Sequence, residues 1–247
     1  MRKPVDAERL RADFGEAFTP LLMDVTDEAA VRRAAEQVES GLGGATLAGL
    51  VNNAGIVVAG PLLHLPLAEL RRQLEVNLVA QLGVTQAFAA LLGVDKRRTG
   101  KPGRIVNISS VVGKVAPPFV GAYAASKHAL EGMSESLRRE LMLYGIDVIV
   151  VAPGAVVTPI WDKGREEDLS VYEATEYGPA LGRFREYLIG EGKKGLPAAR
   201  VAEAVYTALT VGYAVVPQSF RNWTLPRLLP KRWVDRAIGK QLGFGKA

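Results

Sequence analysis

The sequence predicts an α/β domain built on a doubly wound parallel sheet. Three observations carry that expectation. Helix-like and strand-like segments alternate along the 247 residues. The strand-like segments LAGLV (47–51), RIVNIS (104–109) and IDVIVV (146–151) are near-continuous apolar runs, the pattern of strands covered on both faces. The residues best suited to chemistry follow those runs, where ligands of such sheets sit.

The elements justify themselves in order. The opening MRKPVDAERL reads as a helix already under way. TPLLMDV (19–25) follows as a short apolar strand ending near Asp24 and Val25. Thr26 or Asp27 is placed to cap a helix running to about Ser40, with Ala30, Val31, Ala34, Ala35 and Val38 on one face. GLGG (41–44) stops it before the strand LAGLV, and NNAGIVVAGPLLHLP (52–66) is a loop. Helical periodicity runs from Leu67 to Leu92 with an interruption near Asn77. KRRTGKPG (96–103) is a solvated turn before RIVNIS. Residues 119–144 read as a long helix halted by Gly145. After IDVIVV and its Pro-Gly turn, residues 155–195 look irregular and charged, as a flap would. Pro197 opens a helix to about Leu209, and YAVVP (213–217) is a last short strand. The domain is expected over 1–220 and a separate basic tail over 221–247.

Composition removes several classes of function. The chain has no cysteine, so disulfides and thiolate metal sites are excluded. Its two histidines, His64 and His128, are far apart, which argues against a histidine metal site. Each has a packing explanation. No apolar run is long enough to span a membrane, and the start lacks a signal-peptide core, so a cytoplasmic protein is expected. The net charge of +5 is concentrated at the end: from Arg221 on, seven Lys/Arg face one Asp, leaving the first 220 residues at −1. No base-reading element accompanies that charge, so no nucleic-acid partner is expected. In the tail, Trp233, Val234, Ala237, Ile238 and Leu242 form a stripe beside basic residues. Such a segment suits an anionic membrane surface or a lid on its own subunit; docking is the preferred reading.

Chemistry concentrates in AYAASKHALEG. Tyr123 and Lys127 lie one turn apart on a helix. A nearby ammonium favours a phenolate, so the tyrosine could exchange a proton with a carbonyl or alcohol. Alone, such a pair is usually only a solvated helix face. Ser110, thirteen residues earlier at a strand end, could hydrogen-bond a substrate oxygen, or simply form a turn with Ser109. Asn77 sits in helix-like EVNLVA, where asparagine is mildly unfavourable and could mark a local break.

Together with MDVTD (23–27), VNNAG (51–55), GRIVNISS (103–110), YAASK (123–127) and PGAVVT (153–158), these residues resemble the short-chain dehydrogenase/reductase family. The motifs occur in the family's order and cover roughly residues 20–217. The resemblance implies a Rossmann-like fold and an oxidoreductase that moves a hydride between NADP(H), or NAD(H), and a secondary alcohol or ketone. It implies Tyr123 as general acid/base and Lys127 as the residue that lowers its pKa and holds the nicotinamide ribose. Ser110 would hold the substrate oxygen and Asn77 a relay water. Asp24 and Val25 would meet the adenine, and Asn53, Ala54 and Gly55 its ribose. Pro153, Gly154, Val156 and Thr158 would shape and hold the carboxamide end. Val112, Phe119 and Trp161, with neighbouring Val111, Pro117 and Pro118, would line an apolar substrate pocket. The two long helices resemble the family's pairing helices, which implies a homodimer or homotetramer.

One family feature is missing. No glycine-rich turn joins a first strand to a first helix, and GLGG lies between a helix and a strand instead. The expectation is a chain lacking one strand–helix–strand unit, through a missed start or a deletion, with impaired cofactor binding. An open edge on LAGLV and a detached or re-paired LLMDV would follow. Arg2 and Lys3 fall where the second strand would end, and basic residues there favour the NADP 2′-phosphate. The alternative reading is a non-catalytic scaffold that kept the fold and lost the cofactor loop.

Overall fold

The computed structural model describes residues 1–162 and 168–212. The expected strand 213–217 and the tail 221–247 lie outside them.

Among the described residues the main sheet has three parallel strands, β1 (Gly49–Asn52), β2 (Arg104–Ile108) and β3 (Asp147–Val151), in the order β1-β2-β3. The register pairs Val51 with Val106 and Val106 with Ile149. Alternate residues of these runs face opposite sides, so an unbroken apolar run needs cover on both. One face carries Ile105 and Val148, packed with Leu92, Leu137 and Leu141. The other carries Val106, Ile108, Ile149 and Val151, packed with Ala208 and its neighbours Val201, Val205 and Leu209.

Among the described residues seven helices have eight or more residues: α1 (Pro4–Phe14), α2 (Glu28–Leu42), α3 (Leu67–Leu74), α4 (Ala80–Phe88), α5 (Gly121–Glu140), α6 (Gly178–Lys193) and α7 (Ala198–Thr210). Asp27 caps α2 by accepting a hydrogen bond from the Ala30 amide at 2.9 Å. Gly43, at φ +55°, ends it in the left-handed region. The interruption expected near Asn77 is a single wider turn over Glu75–Val79 between α3 and α4. Helix α5 begins at Gly121 rather than at 119, because Phe119 takes a left-handed φ of 65°.

Two expectations need correction. Residues 19–25 do not form a sheet strand. Their partner is the chain start: Met1 donates to the Leu21 carbonyl at 2.8 Å, and the Met23 amide donates to the Met1 carbonyl at 2.9 Å. Nor has the segment detached, since Leu21, Met23 and Val25 rest on the core formed by Val31, Ala34 and Ala35 of α2 and Val84 and Phe88 of α4. Among the described residues β1 pairs with β2 alone. The second correction concerns 155–195. That stretch contains α6, sixteen residues long, and a short parallel pair of β4 (Val156–Val157) with β5 (Leu196–Pro197). Pro179 starts the helix, and Leu181, Phe184 and Leu188 give it a buried stripe that its glycines and charges obscured.

Candidate active site

The site is assembled at the carboxyl ends of β2 and β3, against α5. Ser110 lies two residues past the end of β2 and starts a tight turn, accepting the Val112 amide at 3.2 Å. The Val111 amide reaches the Pro153 carbonyl after β3 at 3.0 Å, which locks the two strand ends together. Tyr123 and Lys127 project from the first two turns of α5, with the Lys127 ammonium 5.8 Å from the phenol ring centroid.

Lys127 is buried, 4% exposed, and donates to the Ile108 carbonyl at 2.7 Å. Burial pushes its pKa down to about 8, while the Glu131 carboxylate acts in the opposite direction. The expected lowering of the Tyr123 pKa is not what the structure shows. Burial raises the phenol above its usual value, and the hydrogen bond shared with Ser110 pulls the other way without cancelling it. The ammonium is committed to a backbone carbonyl rather than to the phenol oxygen.

Asn77 is fully buried, and its side chain is structural in its contacts. Its oxygen accepts the Ile56 amide at 2.9 Å, and its amide donates to the Ile56 carbonyl at 3.0 Å and to Ser126 Oγ at 3.1 Å. Ser126 in turn donates to the Tyr123 carbonyl at 2.7 Å. The side-chain donors and principal acceptor of Asn77 are thus engaged by protein partners.

The remaining predicted residues occupy three neighbourhoods. Asn53, Ala54 and Gly55 form the loop after β1, and a Cβ built on Gly55 would lie 3.4 Å from Asn77 Oδ1 and 3.9 Å from Lys127 Nζ. Asp24 accepts the Thr26 amide and hydroxyl at 3.0 and 2.8 Å and lies 3.7 Å from Arg2. The Thr26 amide chiefly holds its carboxyl below the usual range. Val25 is turned to the α2–α4 core. Pro153, Gly154, Val156 and Thr158 line the segment after β3.

Of the three predicted substrate residues, Val112 and Phe119 pack with Tyr123 in one apolar cluster. Trp161 does not: its indole N–H donates to the Val156 carbonyl at 2.7 Å and its ring presses on Gly192 of α6. It is a strut between β4 and α6. Sequence reasoning missed the other members of the cluster, Tyr172, Leu181 and Phe184, with Tyr177 at its edge. It also missed the buried chain Thr85–Asn52–Asn107–Ser134, in which Asn52 donates to Thr85 at 3.0 Å and to Asn107 at 2.9 Å, and Asn107 to Ser134 at 2.8 Å. The signal was an asparagine at the same register position in two apolar strands.

A nicotinamide cofactor fits this donor set at one end. An ammonium, a phenol and the Gly55 gap converge where a ribose diol would need donors and close approach. At the phosphate end, no glycine-rich turn leads from a strand into a helix among the described residues.

The family model for short chain dehydrogenases matches residues 2–169. This chain belongs to that family. It is an oxidoreductase of the NAD(P)-dependent kind that acts between an alcohol and a carbonyl. It is 35% identical to an NADPH-dependent 3-dehydrocapnine reductase of Ornithobacterium rhinotracheale, over 98% of this chain and 87% of that protein. It is 39% identical to retinol dehydrogenase 5 of Homo sapiens over 64% of this chain, but only 48% of that protein. A short-chain dehydrogenase structure from Streptomyces avermitilis superposes over the whole chain and 87% of its own length, with a TM-score of 0.73 and 25% identity. No helix among the described residues is long and apolar enough to cross a membrane.

Proposed function

We propose that this short-chain dehydrogenase is an NADPH-dependent reductase of an apolar ketone. The observation that carries the reading is a buried Tyr123 that shares a hydrogen bond with Ser110 and has the Lys127 ammonium 5.8 Å from its ring centroid. NADPH would supply the hydride. Ser110 donates to the carbonyl oxygen and aligns it, which stabilises the charge that grows there. Tyr123, protonated at neutral pH as any phenol with a pKa near 10 is and held so further by burial, delivers its proton to that oxygen. Lys127 then stabilises the phenolate left behind and would bond the nicotinamide ribose hydroxyls. Asp24, Asn53, Ala54 and Gly55 would hold the adenosine end, and Val156 and Thr158 the carboxamide.

Two features support the finer assignments. The buried cluster of Phe119, Tyr172, Leu181 and Phe184 that packs against Tyr123 is apolar and carries no charge, which supports a hydrophobic rather than a charged carbonyl substrate. Arg2, 72% exposed and beside Asp24, suits the 2′-phosphate of NADP, and the relative named as NADPH-dependent agrees. A homodimer is the proposed assembly. An apolar groove between α4 and α5, lined by Leu82, Met133, Leu137 and Leu141, is the surface a second copy would close. A cytoplasmic setting fits a cysteine-free chain. The test is ketone-dependent NADPH oxidation by the parent and by Tyr123→Phe.

A further inference from the structure

Beside the catalytic set, three groups crowd around Gly113. A Cβ built there would fall 2.9 Å from Ser109 Oγ, 3.1 Å from the Lys127 carbonyl and 3.2 Å from Glu131 Cγ. The turn Val111–Gly113 therefore lies directly on α5, with only a hydrogen atom between them. Its next residue, Lys114, reaches Glu131 Oε2 at 2.9 Å. The side chain of Glu131 is 13% exposed, and its second oxygen, Oε1, is buried with no hydrogen-bond partner. A buried carboxylate oxygen left in that condition is costly, so a compensating reason is expected.

The reason lies one turn back on the same helix. Glu131 is four residues after Lys127, hence on the same face. It is the charged group that favours the Lys127 ammonium against its burial. We propose that Glu131 is a positioning residue for the reductase site: through Lys114 it clamps the Ser110 turn onto α5, and its free oxygen supports the charge of Lys127. The proposal rests on the reading of Ser110, Tyr123 and Lys127 given above. Among the described residues, the ionisable groups bearing on Lys127 are Tyr123 and Glu131 of its own helix, with Lys114 acting through Glu131. The loop after β1 and the widened turn present only neutral Gly55 and Asn77.

The test compares the 247-residue parent with Glu131→Gln, Glu131→Asp and Lys114→Gln. Glu131→Gln should lower kcat about tenfold to a hundredfold with little change in the ketone KM, as expected of misplaced catalytic groups. It should also move the alkaline limb of the kcat–pH profile to lower pH. Glu131→Asp should restore part of both. Lys114→Gln should lower kcat without moving that limb downward, because the carboxylate remains. An unchanged kcat and an unmoved limb in Glu131→Gln would overturn the proposal, and should that variant not fold, an unchanged kcat in Lys114→Gln would do the same. A readout independent of turnover separates this inference from the functional one. With lysine labelled at Cε, the Lys127 resonance, assigned by its loss in Lys127→Met, should titrate at lower pH in Glu131→Gln than in the parent. A coincident titration would sink the proposal even if ketone reduction is confirmed; the expected shift would support it even if no ketone is reduced.

Discussion

Lys127 is held at a cost to the fold. Its pKa falls from 10.5 to about 8 on folding, so between those values the unfolded chain binds more protons than the folded one. Stability should therefore rise with pH across that window and carry the full penalty below it. The shift corresponds to about 3 kcal/mol. Lys127→Met should stabilise the protein at neutral pH by about 1–3 kcal/mol, less than the full amount because the bond to Ile108 is lost. Thermal melts from pH 7 to 11 check this: the parent should gain stability with pH and the variant should not. That Tyr123 and Lys127 share one face of α5 was legible in the sequence, because four-residue spacing on a helix sets it; their roles, with that of Ser110, came only from the resemblance. The state of the phenol was not, since burial comes from Phe119, Tyr172 and Phe184, which the sequence does not place beside it.

At the scale of elements, Asn77 explains why the helix from Leu67 to Phe88 is not continuous. Its amide group ties the Ile56 backbone in both directions and reaches α5, so one side chain joins the loop after β1 to two helical segments. Asn77→Ala would leave the Ile56 amide without its partner and the Ile56 carbonyl with Gln73 as its remaining donor. A loss of about 2–4 kcal/mol is expected, read as a lower urea midpoint with an unchanged slope. The break was legible as an asparagine in a helical run; the three hydrogen bonds were not, because they depend on tertiary neighbours. Residues 19–25 illustrate the reverse. LLMDV has strand composition, but a strand requires a ladder, and its described partner is the two-bond contact with Met1. Helix α6 went unread because its periodic stripe of Leu181, Phe184 and Leu188 is diluted by Gly182, Gly190 and Gly192.

For the whole molecule, the parallel order β1-β2-β3 and the two-sided cover follow directly from apolar runs alternating with amphipathic helices, and were legible. The surfaces that meet other molecules were less so. Arg2→Glu should reverse the proposed cofactor preference, raising KM for NADPH about tenfold or more relative to NADH, since a repulsive carboxylate replaces a phosphate partner. Steady-state kinetics with the two cofactors would show it. Met133→Glu, which places a charge in the α4–α5 groove, should convert the proposed dimer to a monomer by light scattering. The most direct test of the account is the oxidation of NADPH, supplied up to millimolar concentration, in the presence of apolar ketones. The parent should consume NADPH only when ketone is present, and Tyr123→Phe should be slower by about a hundredfold or more. A parent that shows no ketone-dependent consumption, or a variant that keeps the parent's rate, would contradict it.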